Sequence, residues 1–333
     1  MRKEVFKQSK GRFNDFLNLI KDDFELIAPV KKDVSRYEPI KDIKDIYLEK
    51  NSYFPAKEYF FKKEEVLFQF DGKGFFQPHL QHKSRVFFGM RRCDLNAIHH
   101  QDIAFKGVND PYYFEARKNT FLLGYHCNEA PSEYCFCGSL DLIDFFDLMF
   151  FDKGKHFLVE VGSEKGDYLI KKYSKYFTKT SKKISEKEKI IPGADRLENK
   201  DLSKLYDNPG WKKGVDICLS CSVCTSLCPT CYCFEIHDEV KSSDLSTGER
   251  KRKWSSCQLP EFTKVAGDHV FRKEREERFK HRIYHQLDYF KEKNGINLCV
   301  GCGRCIEGCP TRIDFVQIIN EMGDENAKNN PVQ

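Results

Sequence analysis

The sequence predicts an α+β protein: an N-terminal α/β domain over residues 1–205, an α-helical module over 206–325 and a frayed tail at 326–333. Three observations predict it. Up to about residue 190, short apolar stretches alternate with helix-patterned ones, the arrangement that builds layered α/β domains. A polar, charged stretch follows, broken by turn-forming residues at 191–193 and 208–211. Beyond Trp211, amphipathic segments surround two cysteine runs. The 333 residues suffice for two or three domains, and 29 phenylalanines make the core aromatic.

In order along the chain, EVLFQF (65–70) alternates polar and apolar residues like a half-buried strand. SRVFFGMRRCDLNAIHH reads as a buried strand ending near Met90, then a helix from Leu95 capped by Asp94, with Cys93 just past the strand. NTFLLGYHC is a second buried strand, Thr120–His126, which delivers Cys127. HFLVEVGSEKGDYLIKKY is a third strand followed by a helix with Ser163 at its N-cap. The lysines between Lys171 and Lys189 read as a solvated surface leading into a linker. After Trp211, HVFRKEREERFKHRIYHQLDYFKEKNG carries Phe271, Phe279, Ile283, Tyr284, Leu287 and Phe290 at helical spacing, with Gly295 as a stop. IDFVQIINEM is a further short helix.

The cysteine runs carry the chemistry. CLSCSVCTSLCP (218–229) and CVGCGRCIEGCP (299–310) are both C-x2-C-x2-C-x3-C-P. Three cysteines so spaced wrap one iron–sulfur cube and leave its fourth corner for a residue from elsewhere; in two-cluster ferredoxins the cysteine before proline reaches the other cube. On that logic Cys218, Cys221, Cys224 and Cys309 bind one [4Fe–4S] cluster, and Cys299, Cys302, Cys305 and Cys228 bind a second. Pro229 and Pro310 fix the turn at each exit. Gly301, Gly303 and Gly308 let the second loop's backbone approach sulfur. Zinc is the competing reading, but structural zinc sites draw two ligands from each of two separated pairs. The seventy residues between Cys228 and Cys299 are helical in pattern, which favours an α-helical ferredoxin-like dicluster module and an electron relay over catalysis.

Seven further cysteines are present. Cys93, Cys127, Cys135 and Cys137 either converge on a third metal centre or serve as small buried hydrophobes. Cys231, Cys233 and Cys257 read as packing around the first run, with a thiol-exchange role as the lesser alternative. His99 and His100 read as surface or packing residues, and Glu160 and Glu164 as surface and helix N-terminal carboxylates. No dinucleotide fingerprint, P-loop or nucleophile elbow occurs. The formal charge of +5 falls to +1 once eight ligand thiolates and two [4Fe–4S]²⁺ cores are counted, which removes the argument for nucleic acid. No apolar run reaches the ~18–20 residues that span a bilayer, and the start lacks an apolar signal, so a reducing cytoplasm is expected.

Beyond the ferredoxin pattern, VFFGMRRCDLNAI, FLLGYHCNEAPSEYCFC, FLVEVGSEKG, CLSCSVCTSLCPTCYCFEI, KWSSCQLPEF and AGDHVFR occur in one order across roughly residues 80–320. They resemble the iron–sulfur beta subunit of cytoplasmic sulfhydrogenases and the A subunit of anaerobic sulfite reductases. The resemblance implies that the eight run cysteines are cluster ligands and that Cys93, Cys127, Cys135 and Cys137 belong to the family pattern. It also implies an electron-transfer subunit, not itself catalytic, between a flavin subunit handling NAD(P)H and a hydrogenase or sirohaem sulfite reductase subunit. The alternative assignment is an iron–sulfur subunit of a heterodisulfide-reductase-like or glycolate-oxidase-like complex, which also uses paired runs. The cysteine-rich CCG-type segments of those proteins are absent.

Overall fold

The computed structural model describes residues 4–77 and 84–323, so the tail expected at 326–333 lies outside the described residues. Their strands are, in chain order, β1 (Val5–Ser9), β2 (Glu25–Lys31), β3 (Ser35–Pro39), β4 (Glu64–Asp71), β5 (Gly74–Phe76) and β6 (Arg85–Met90). They continue with β7 (Thr120–Tyr125), β8 (Leu148–Asp152), β9 (His156–Val161), β10 (Thr178–Lys179), β11 (Phe234–Lys241) and β12 (Asp244–Trp254). Contacts divide the chain into two units, one from residues 1–62, 77–133 and 142–193, the other from 63–76, 134–141 and 194–333.

The first unit holds an eight-stranded mixed sheet in the order β10-β1-β9-β8-β7-β6-β2-β3. Its centre, β8-β7-β6-β2, is parallel, and both flanks are antiparallel. Strand β6 is buried at every position, as a central parallel strand covered on both faces must be, which is why it reads as an unbroken apolar run. Helix α1 (Phe13–Asp23) sets Phe13 and Phe16 against Phe88, Phe150 and Phe157, with ring centroids 4.7–6.3 Å apart. The parallel step from β6 to β7 is made by α2 (Arg92–Lys106) and α3 (Pro111–Lys118), the crossover that parallel neighbours require.

Three local expectations change in this unit. Helix α2 begins at Arg92, with Arg91 at the cap; Asp94 lies inside the first turn, buried, and accepts a hydrogen bond from Tyr37 Oη at 3.2 Å instead of capping. A capping carboxylate must stand outside the helix, and here the chain turns helical almost directly off the strand. Ser163 does cap α4 (Glu164–Lys172), accepting from Gly166 N–H at 3.2 Å. Lys189, on the single turn α5 (Glu186–Lys189), is buried and not solvated: its Nζ bonds Asp144 at 2.5 Å and faces Glu160 at 3.7 Å. Glu160, expected at the surface, is buried with it.

The second unit contains a four-stranded antiparallel sheet in the order β11-β12-β4-β5. The segment between the cysteine runs, expected to be helical, is therefore a β-hairpin over much of its first half. Phe234, Ile236 and Val240 fall on alternate positions of β11, with Asp238 interrupting the series. Strand β4, read as part of the N-terminal domain, pairs with β12 and is tied to it by Arg252–Glu65, Nη2 to Oε1 at 2.5 Å. Where the sequence reading draws one boundary at residue 205, contacts change at 193/194 and two N-terminal stretches join the second unit.

The helices of this unit are α6 (Lys212–Val215), α7 (Val223–Ser226), α8 (Arg275–Tyr284), α9 (Phe290–Asn294), α10 (Arg304–Glu307) and α11 (Phe315–Glu321). A π turn, His285–Tyr289, joins α8 to α9, and Gly295 ends the helical run in a left-handed conformation, as expected. Phe271 lies outside the helix and is exposed. Buried Trp211 packs on Phe279 and Tyr284 and donates its indole N–H to Leu205 O at 2.7 Å. Among the described residues no helix is long and apolar enough to cross a membrane.

Candidate metal centre

The two cysteine runs fold alike, position for position. Ser220 and Ser222 in the first run have φ of 50° and 67°; Gly301 and Gly303, at the matching places in the second, have 64° and 74°. Left-handed backbone two and four residues after the first cysteine curls each loop around its thiols. In both loops the N–H two residues on donates to that first cysteine: Ser220 to Cys218 Sγ and Gly301 to Cys299 Sγ, each at 3.4 Å. One-turn helices α7 and α10 then occupy equivalent positions, and a threonine two residues past each exit cysteine meets its thiol, Thr230 at Cys228 and Thr311 at Cys309.

The second run's glycines have a further reason. The stretch 134–141 lies against them, with Phe136 N–H donating to Gly301 O at 2.8 Å. A Cβ on Gly301 would stand 2.4 Å from Cys137 N, and one on Gly303 2.6 Å from Tyr134 O.

Cys218, Cys221, Cys224, Cys305 and Cys309 line one pocket, together with Gln258 and Arg282; it encloses about 630 Å³, part of it open solvent. The exit cysteine of the second run thus borders the same space as the first three of the first run. Cys228 acts electrostatically on Cys299 and Cys305 of the second run and also on Cys224 of its own.

Three polar residues on one helix face, Arg278, Arg282 and Gln286, are buried beside the apolar positions Phe279, Ile283 and Leu287. Gln286 bridges the two runs. Its Oε1 accepts from Thr230 at 3.1 Å and Cys228 at 3.8 Å, its Nε2 donates to Cys231 at 3.8 Å, and its carbonyl accepts from Cys299 N–H at 2.9 Å. Gln258 accepts from Cys218 Sγ at 3.9 Å. Arg282 donates one long bond, 3.4 Å, to Cys224 O, and its Nε has no hydrogen-bond partner among the described residues. Burial alone would push this guanidinium down, yet Cys231, Cys228, Cys224 and Cys305 around it hold it above its ordinary value. None of these three side chains is singled out by the motif. The signal was present as polar residues at i, i+4 and i+8 interrupting an otherwise apolar helix face.

Burial pushes the thiols of Cys224 and Cys299 up to about 12 and raises Cys305 as well. Cluster loading therefore has to displace protons. At limiting iron and sulfide, uptake by the apo chain is expected to be more complete at pH 9 than at pH 7, with protons released to a weakly buffered dye. Equal uptake and no release would show the thiols already ionised.

The remaining cysteines are divided. Cys93 and Cys127 belong to the first unit, Cys135 and Cys137 to the second. Cys231 is buried in the Gln286 network, and at the base of the hairpin Cys233 and burial together push the Cys257 thiol up. Among the described residues no three His, Cys, Asp or Glu side chains gather closely enough to hold a single metal ion. Multiple thiols around one open pocket, N–H groups aimed at sulfur, and a buried cation with an orphaned nitrogen fit an anionic thiolate cluster.

A model of the 4Fe–4S dicluster domain matches residues 217–313, which span both runs. The sulfhydrogenase 2 beta subunit of Pyrococcus furiosus is 34% identical over 343 aligned residues, covering 93% of this chain and 96% of that one. The chain belongs to the sulfhydrogenase beta-subunit family. A second relative, the beta subunit of the F420-dependent formate dehydrogenase of Methanocaldococcus jannaschii, is 26% identical over 181 residues, 51% of this chain and 39% of that one. As a member of the sulfhydrogenase beta-subunit family with a 4Fe–4S dicluster domain, the chain is an iron–sulfur subunit.

Proposed function

We propose that this chain relays single electrons within a cytoplasmic, anaerobic oxidoreductase complex, between a flavin subunit that handles NAD(P)H and a hydrogenase- or sulfite-reductase-type catalytic subunit. Two [4Fe–4S] clusters supply the redox chemistry. In this reading Cys218, Cys221, Cys224 and Cys309 hold one and Cys299, Cys302, Cys305 and Cys228 the other. The observation that supports it is where the two exit cysteines lie. Cys309 borders the pocket of the first run, and Cys228 acts electrostatically on Cys299 and Cys305 of the second run as well as on Cys224 of its own. Lending ligands across in this way keeps two centres close enough to pass a charge.

The protein groups around the thiols fit a relay. Backbone N–H groups of Ser220 and Gly301 point at sulfur, which tunes potential without offering a substrate site. Full-length similarity to the beta subunit of a hydrogenase supports the hydrogenase arm of the proposal. The formate dehydrogenase relative covers half the chain and supports only the electron-transfer role.

Anaerobic reconstitution tests the assignment. The wild-type chain is expected to bind about eight irons and to give reducible cubane EPR signals. Cys309→Ser is expected to alter or empty the centre built on Cys218, Cys221 and Cys224 while the other persists. A colourless, redox-silent protein, or two unperturbed centres in a Cys228→Ser/Cys309→Ser variant, would sink the wiring. Copurification from an anaerobic source identifies the attached subunits.

A further inference from the structure

We propose that Arg282 is a potential-setting residue shared by both cluster sites: a buried fixed cation placed between them that favours their reduced states. The inference rests on the two-cluster reading above and assigns a role to a side chain outside the cysteine motif.

The contrast with Arg278, one turn earlier on α8, makes the point. Arg278 is equally buried, and its guanidinium is spent on the carbonyls of Gln258, Arg272 and Lys273, the ordinary way a helix arginine is satisfied internally. Arg282 has one long bond to a carbonyl, an unpartnered Nε, and no carboxylate partner among the described residues. An arginine does not lose its proton in a protein, so the charge must be answered by something else. Buried charge without a counter-charge is strongly unfavourable.

What surrounds it is sulfur. Four thiols act on Arg282 electrostatically: Cys231, which ligates neither centre in this reading, Cys228 and Cys305, which it gives to one centre, and Cys224, which it gives to the other; Arg282 lines the same pocket as Cys224 and Cys305. Four thiolates around a [4Fe–4S]²⁺ core carry a net charge of −2, and one-electron reduction makes it −3. A fixed cation is attracted more strongly to the more negative state, and burial keeps solvent and salt from screening the difference. It also offsets the repulsion between two anionic centres that exchange ligands.

The test is a dye-mediated redox titration, followed by EPR, of the anaerobically reconstituted full chain as wild type, Arg282→Lys, Arg282→Gln and Arg282→Met. The neutral variants are expected to titrate lower than wild type by at least a tenfold change in the reduced-to-oxidised ratio, 59 mV for a one-electron couple. Arg282→Lys should stay near wild type, and the gap should survive high salt. Neutral variants that load clusters and titrate with the wild type overturn the proposal, as does a lysine variant shifted as far as the neutral ones. If the neutral variants take up no iron while Arg282→Lys does, the requirement for charge is read from uptake and supports it; if the lysine variant also fails, the shape of the guanidinium and not its charge is needed, and the proposal falls. A wild-type chain without reducible clusters sinks the relay function itself, a separate outcome.

Discussion

Gly301→Ala is expected to remove the centre built on Cys299, Cys302 and Cys305 and to cut the iron content of the reconstituted chain by about half, from eight to about four. Two costs coincide at this residue. Its φ of 64° is left-handed, a region that costs an alanine about 1–2 kcal/mol. The new methyl would also stand 2.4 Å from Cys137 N and 2.6 Å from Phe136 C, backbone atoms that cannot swing aside. Overpacking of that kind adds about 1–3 kcal/mol. The contact is pinned by the Phe136 N–H bond to Gly301 O, so relief requires moving the loop that presents the thiols. The matched control is Ser220→Ala in the first run. Ser220 already carries a Cβ at φ 50°, and its hydroxyl has no hydrogen-bond partner among the described residues, so iron content should not change. Iron counting with EPR checks both; a Gly301→Ala chain with its full iron would show that the loop yields.

Arg252→Met should be the most damaging substitution remote from the clusters. Arg252 on β12 and Glu65 on β4 are 3% and 8% exposed and joined at 2.5 Å, with Nε adding a second bond at 3.1 Å. Removing one member of a buried pair strands the other charge and costs about 3–5 kcal/mol. The loss should appear as a lower unfolding midpoint and faster hydrogen exchange across β12 and β4. A Glu65→Leu/Arg252→Met double variant should recover most of it, since apolar replacement of a whole buried pair is often neutral. Asp238→Asn breaks a bidentate pair with Arg250 on the same hairpin, at 2.7 Å, but that pair is solvent-exposed and screened, so little change is expected. Equal effects from the two substitutions would refute the distinction drawn from burial.

Much of the candidate site was legible because it is local. Thiol spacing within twelve residues dictates a loop geometry, and the structure gives both loops the same backbone turns. Strands β6 and β9 and the Ser163 cap were legible for the same reason: each depends on neighbours within a few residues. The misreadings are of another kind. Asp94 has the chemistry of a cap but is claimed by Tyr37, 57 residues away in sequence. Lys189 looks like one more surface lysine until Asp144 and Glu160 close on it. The β11–β12 hairpin has a readable alternation, yet the surrounding helical periodicity outweighed it.

By itself the sequence determined the metal chemistry: paired four-cysteine loops, each closed by proline, commit the C-terminal region to iron–sulfur clusters whatever fold presents them. Only the tertiary structure decided what surrounds those loops. It drew β4 and residues 134–141 out of the N-terminal region into the second unit, and it turned Arg282 and Gln286 inward among the thiols. The physical reason is that ligand spacing is a property of a short chain segment. The partner of a buried charge or the mate of an edge strand is chosen by burial free energy, which is shared among residues far apart in sequence.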